Sequence, residues 1–231
     1  MKKFFTLIAA VAMAASMNAQ GTYAVQEGDN VKAGDQITSV ENITLTYMEN
    51  DGAEFAAGKK TTNWADADFG AYVCGKNSGK LVSDAAPTGC AYKFETTKAG
   101  SLTVAVQLNA NKGFHILDAD FAEVAPASYN FPAKDGASQE FTQNEKGENI
   151  IAEKSNGTVT FSVAEGGTYY VLAAGTKMGF FGFKYEAGTS TGISSIEAAA
   201  KNDGKTYNMA GQQVSSSFKG LVIKNGKKFV K

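Results

Sequence analysis

Val159–Tyr185, VTFSVAEGGTYYVLAAGTKMGFFGFKY, is the stretch on which the fold class turns. Val159, Phe161 and Val163 alternate with Thr160 and Ser162, a period of two that sends apolar side chains to one face of a strand. Ala164-Glu165-Gly166-Gly167 reads as a turn, Thr168 to Ala173 as a second strand, and Gly175-Thr176-Lys177 as a second turn. Phe180 to Tyr185 is the third strand. Tyr169, Phe180, Phe181 and Phe183 lie within these strands and are expected in the core.

The pattern continues upstream. Ile43 to Met48 alternates, as do Tyr92, Phe94 and Thr96, and Leu102, Val104, Val106 and Leu108 line one face of a clear strand. Phe114 to Val124 reads as another strand, with Asp118 and Asp120 sharing a face with Phe114 and Ile116. Gly21 to Val40 is turn-rich, Asn63 to Val73 reads as a loop and a short strand, and Ala125 to Asn156 as loops with one strand. Helix signals are confined to Ser194–Lys201. Short strands separated by Gly-rich turns predict an all-β chain, a jelly-roll-like β-sandwich followed by a small C-terminal β domain.

The ends read as addresses. Met1-Lys2-Lys3, an apolar run from Phe4 to Ala15 and the small residue Ala19 have the form of a signal peptide cut after residue 19. No cysteine stands at that cut, which argues against a lipid anchor. No later segment approaches the ~20 apolar residues a bilayer-spanning helix needs. The expected organisation is a signal peptide over 1–19, a body over 20–187, a linker over 188–203 that opens with GTSTG, and a tail domain over 204–231.

Charge follows this division. Residues 20–200 hold 13 lysines against 22 acidic residues, whereas 201–231 hold seven lysines against Asp203 alone. Every basic residue is lysine. An acidic body without arginine lacks the bidentate donors that recognise phosphates and guanine, so nucleic acid is not an expected partner.

Cys74 and Cys90 are the only cysteines. In an exported chain they are expected to pair, and closing a loop of about 17 residues contributes ~3 kcal/mol in the chain-entropy description.

Within the tail, Asn225-Gly226 between Leu221-Val222-Ile223 and Phe229-Val230 is a hairpin signal, since a type I′ turn needs positive φ at both central residues. Tyr207-Asn208-Met209-Ala210-Gly211-Gln212-Gln213-Val214, followed by Lys219-Gly220-Leu221-Val222-Ile223-Lys224-Asn225-Gly226-Lys227-Lys228, resembles the C-terminal sorting domain of type IX secretion cargo. Tyr207, Asn208, Gly211, Gln212, Gly220, Gly226, Lys227 and Lys228 carry the likeness, and Val222 departs from it where the family often has Tyr. The resemblance implies engagement of a secretion machinery and a final position at the cell surface or outside the cell.

The body has its own resemblance. Ala99 to Val104, Phe161 to Val171 and Lys177 to Tyr185 look like the non-catalytic β-sandwich modules attached to secreted polysaccharide-degrading enzymes, pectate lyases among them. That likeness implies carbohydrate binding or a spacer role, although no catalytic domain accompanies it here.

Chemistry-bearing residues are few. His115 is the only histidine, and no G-x-S-x-G elbow exists to pair with it. On a strand, Asp118 and Asp120 would stand about 6.5–7 Å apart, a separation that overlaps paired glycosidase carboxylates and also suits a structural calcium site. Asp66 and Asp68 beside Asn63 form a second oxygen-rich cluster. No other cofactor is implied, and with one His and two Cys a zinc site has too few ligands.

Sugar rings stack on exposed aromatic faces, with polar groups holding the hydroxyls. Trp64, Tyr72 and Tyr129 are the candidate ligand platforms. The expected function is therefore an exported, non-catalytic binding or adhesion module for a polysaccharide or surface glycan. The alternative is a structural surface or matrix protein, and a polysaccharide-active enzyme comes third.

Overall fold

The computed structural model describes residues 20–49, 54–60, 68–188, 206–208, 221–224 and 227–230. The expected signal peptide, the Ser194–Lys201 helix and Asn63, Trp64, Asp66, Gly211, Gln212, Gly220 and Gly226 lie outside the described residues. The chain divides into two compact units, one ending at Thr189 and the other beginning at Ser190.

The chain is all-β, with no helix among the described residues. The strands run β1 (Gln20–Ala24), β2 (Gln36–Ile37), β3 (Ile43–Met48), β4 (Ala56–Lys60), β5 (Ala71–Cys74), β6 (Lys80–Val82) and β7 (Ala85–Thr88). They continue with β8 (Ala91–Thr96), β9 (Gly100–Leu108), β10 (Phe114–Leu117), β11 (Ser128–Asn130), β12 (Thr142–Gln143) and β13 (Asn149–Ile150). The body closes with β14 (Ser155–Val163), β15 (Thr168–Ala173) and β16 (Gly179–Ala187), and the second unit holds β17 (Thr206–Asn208), β18 (Leu221–Lys224) and β19 (Lys227–Val230).

Two seven-stranded antiparallel sheets build the body. The first has the order β11-β14-β9-β16-β5-β4, with β1 also on β16; the second is β12-β13-β10-β15-β8-β3-β2. One apolar core lies between them, joining Val73, Val104, Val106, Phe161 and Phe180 of the first sheet to Leu45, Tyr92, Phe94, Ile116 and Val171 of the second. Tyr92 stacks on Phe180 at 4.4 Å, and Phe94 meets Phe183 edge-on at 5.4 Å. These ring pairs fix the sheets face to face, as the alternating strands anticipate.

Strand β16 serves two neighbours on one side. Its start pairs with β5 and its remainder with β1, the change coming at an irregularity between Phe180 and Gly182. Gly182 has φ +143, and a Cβ there would fall 2.1 Å from the Tyr23 carbonyl oxygen. Only glycine admits both that backbone and that approach.

The Phe114–Val124 strand is shorter than its alternation implied. It ends at Leu117, and the chain turns at once, with Phe121 at φ +61. Asp118 Oδ1 accepts the backbone N–H groups of Asp120 and Ala122, so its carboxylate organises a turn instead of lining a strand face. The expected two-apart strand placement of Asp118 and Asp120 does not occur.

In the second unit, β17, β18 and β19 form a three-stranded antiparallel sheet. Lys224 stands opposite Lys227, leaving two residues between the strands, the spacing of the expected hairpin.

Candidate functional site

Register across the first sheet assembles a pocket that no local motif announces. Ala56, Cys74, Gly179, Gln107 and Asn156 stand in one row across β4, β5, β16, β9 and β14. Residues directly opposite in a ladder share a face. Ala71 and Val73 of β5 belong to the core, so Tyr72 is directed to the other face. There it packs with Phe69, Phe181 and Ala105 in a small cluster, its ring 5.3 Å from that of Phe181.

Gly179 forms the gap in this row. A Cβ on it would lie 3.0 Å from Cδ2 of Tyr72 and 3.1 Å from Cβ of Gln107. Without that atom, a pocket of about 230 Å³ opens, lined by Tyr72, Gln107, Asn109, Lys154, Lys177 and Gly179, with Ala56 and Cys74 at its border. The volume falls below the ~300–1,000 Å³ of pockets for drug-sized molecules, which suits a single ring-sized unit.

The polar groups are held in place. Gln107 Nε2 donates to Asn156 Oδ1 at 2.8 Å. Asn109 Nδ2 donates to Thr176 Oγ1 at 2.8 Å and to the Lys177 carbonyl at 3.3 Å, tying down the segment that carries Lys177. Asn109 spends both amide N–H groups internally and Gln107 one of its two, and Gln107 Oε1 and Asn109 Oδ1 accept no hydrogen bond from any described residue. Lys154 and Lys177 are exposed, and neither forms an ion pair among the described residues. The lining thus combines an aromatic ring, two amide side chains and two lysines beside a glycine.

Of the aromatic candidates, Tyr72 lines this pocket and Tyr129 does not. Tyr129 stands opposite Val159 on β11 and packs against the core, so it uses the other face of the sheet. Four strand spacings of about 4.8 Å also separate β11 from β5. The Tyr129 hydroxyl donates to Glu140 at 2.6 Å, and that bond raises its pKa. Tyr72 and Tyr129 are therefore not two halves of one platform.

The carboxylates are dispersed. Asp118 is committed to its turn, and Asp68 pairs with Lys184 at 2.8 Å. Among the described residues no group of three or more His, Cys, Asp or Glu side chains could hold a metal ion. His115 is buried, with Nδ1 hydrogen-bonded to Glu123 and Nε2 lying 3.6 Å from Glu148. Bonding to a carboxylate puts the proton on Nδ1 in the neutral ring, and Nε2 has no hydrogen-bond partner.

Cys74 and Cys90 are free thiols that hydrogen-bond one another. Cys90 is buried, its Sγ 3.4 Å from the Met178 carbonyl and 3.6 Å from the Tyr92 hydroxyl. The bond from Cys74 holds the Cys90 thiol below its ordinary pKa, and the same bond, with burial, pushes Cys74 up. Because β5 belongs to one sheet and Cys90 immediately precedes β8 of the other, the pair spans the sandwich.

Sequence reading reached Tyr72 but missed Gln107, Asn109, Lys154, Lys177 and Gly179. They come from the ends of three strands and two turns, and only strand register unites them. No protein-family model matches the chain, and no curated protein matches it either.

Proposed function

We propose that the body is a non-catalytic carbohydrate-binding module of an exported protein, and that residues 204–231 act as its sorting signal. The observation that carries the binding reading is the pocket at Tyr72, whose lining brings an aromatic ring together with the amide side chains of Gln107 and Asn109. Aromatic stacking plus a few placed polar groups is the division of labour small-ligand sites use. The tail reading is supported by Tyr207 and Asn208 falling on β17, and Lys227 and Lys228 on β19, of one small antiparallel sheet.

Affinity electrophoresis of the full chain through gels containing a panel of polysaccharides tests the body. Retardation by at least one glycan, lost in Tyr72→Ala, is the expected result. Migration unaffected by every glycan, or retardation unchanged by that substitution, rejects the reading. For the tail, deletion of 204–231 is expected to leave the chain in the periplasm. Unaltered surface display of the truncated chain rejects the sorting role.

A structural role in a surface layer is the second reading, favoured by Leu81 and Val82, which expose 43% and 41% of their surface on the β6–β7 hairpin. Sedimentation that stays monomeric at high concentration removes it.

A further inference from the structure

Resting on the carbohydrate reading of the same pocket, we infer that its ligand is an anionic glycan, one whose ring carries a carboxylate or a sulfate. The argument is local charge against global charge. Over residues 20–200 acids outnumber lysines by 22 to 13, yet the pocket at Gly179 is lined by Lys154 and Lys177 and by no Asp or Glu. Three other lysines of the body are partnered by acids: Lys32 by Glu54, Lys93 by Glu95 and Lys184 by Asp68. Lys154 and Lys177 form no ion pair among the described residues, as is true of Lys76, Lys80, Lys98, Lys112, Lys134 and Lys146; what sets the two apart is that they line one pocket without an acid.

The hydrogen-bonding inventory points the same way. A neutral sugar presents hydroxyls that both donate and accept, and a carboxylate is a strong acceptor for them. Among its side chains this pocket has no carboxylate to accept from sugar hydroxyls, while its two lysines are pure donors carrying full charge. Lysine is a compact point charge on a flexible stem, suited to a carboxylate or sulfate oxygen approaching at varied angles. Two cations set on an aromatic-walled pocket match a ring with an acidic substituent.

The lysines also come from independent segments. Lys154 precedes β14, and Lys177 precedes β16 in the turn anchored by Asn109. Their convergence on one pocket follows from the β14-β9-β16 order, with β9 contributing Gln107 between them.

The test uses the full chain in gels containing a polyuronate, a sulfated glycosaminoglycan or a neutral galactan, at low and at high salt. Binding to the polyuronate or the sulfated polymer is expected, with the two arms separating carboxylate from sulfate. The double variant Lys154→Gln, Lys177→Gln is expected to weaken that binding about tenfold or more, and high salt to weaken the parent but hardly the variant, as screening requires. Gly179→Leu, which keeps both charges and fills the pocket, is expected to abolish it.

Tyr72-dependent binding to the galactan alone overturns the anionic assignment and keeps the carbohydrate reading. Acidic-polymer binding that survives the double lysine variant or Gly179→Leu overturns the assignment as adhesion elsewhere on the surface. Release by inorganic sulfate at matched ionic strength, with no preference for a sugar, overturns it in favour of a free anion. No binding to any polymer overturns both readings.

Discussion

Gly179 of β16 and Tyr72 of β5 stand so close that a Cβ on the glycine would lie 3.0 Å from the tyrosine ring. The missing side chain is what keeps the pocket open. Gly179 has no left-handed backbone, and the nearest atoms belong to side chains. Gly179→Leu is therefore expected to fold and to lose glycan retardation. Circular dichroism checks the first point and affinity electrophoresis the second; retained binding would remove this pocket as the site.

The hydroxyls of Tyr23 and Tyr47 meet at 3.0 Å across the core. Burial pushes the Tyr23 phenol up to about 12, with the Tyr47 bond acting the other way, and burial raises Tyr47 and Tyr92 further. Groups raised in the fold contribute stability that is complete below the unfolded value of ~10 and lost as pH climbs through the folded value. Urea midpoints should therefore fall steeply between about pH 10 and 12. Tyr47→Phe should flatten that slope, and an unchanged slope would show that Tyr47 ionises as freely folded as unfolded.

Oxidation of Cys74 and Cys90 by oxidised glutathione is expected to give one intramolecular disulfide. The two thiols lose two protons and two electrons, and two reduced glutathiones are released. A loop of about 17 residues corresponds to ~3 kcal/mol, or about 6–12 °C in Tm for a body of this size. Calorimetry of reduced and oxidised protein measures this, with Cys74→Ser as the control that should not respond. Two thiols still titrating after oxidant would show that the sulfurs do not close.

Gly182→Ala should dislodge β1. A Cβ there meets the Tyr23 carbonyl oxygen at 2.1 Å, and φ +143 strains any L side chain, a cost of about 1–3 kcal/mol before the clash. Hydrogen exchange should quicken at β1 amides first and leave β9 and β14 protected. Uniform loss of protection would mean that β1 and the centre of the sheet open together.

Strands whose burial follows their own alternation were legible: Leu102, Val104, Val106 and Leu108 declare a face, and all four are buried in the core. Asp118 misled because a carboxylate two residues before a free N–H can cap a turn as readily as it can decorate a strand. β1 was illegible because Gly21-Thr22-Tyr23 has little apolar alternation and acquires its structure from Lys184 and Tyr185, far along the chain. Tyr72 was legible as an aromatic near a loop. Its company was not, since Gly179 and Gln107 become neighbours only through the β16–β9 register.

The clasp between β1 and β16 also sets an order of events. Among the described residues the body's earliest strand pairs with the latest alone, Gln20 lying against Glu186 and Ala24 against Gly182. A ribosome must therefore release nearly the whole body before this seam can zip, and pairings of such long reach form slowly. Until then the growing chain carries unfinished rims, open to wrong neighbours. Losing even five residues from Gln20 onward would leave the far half of β16 permanently uncovered on that side.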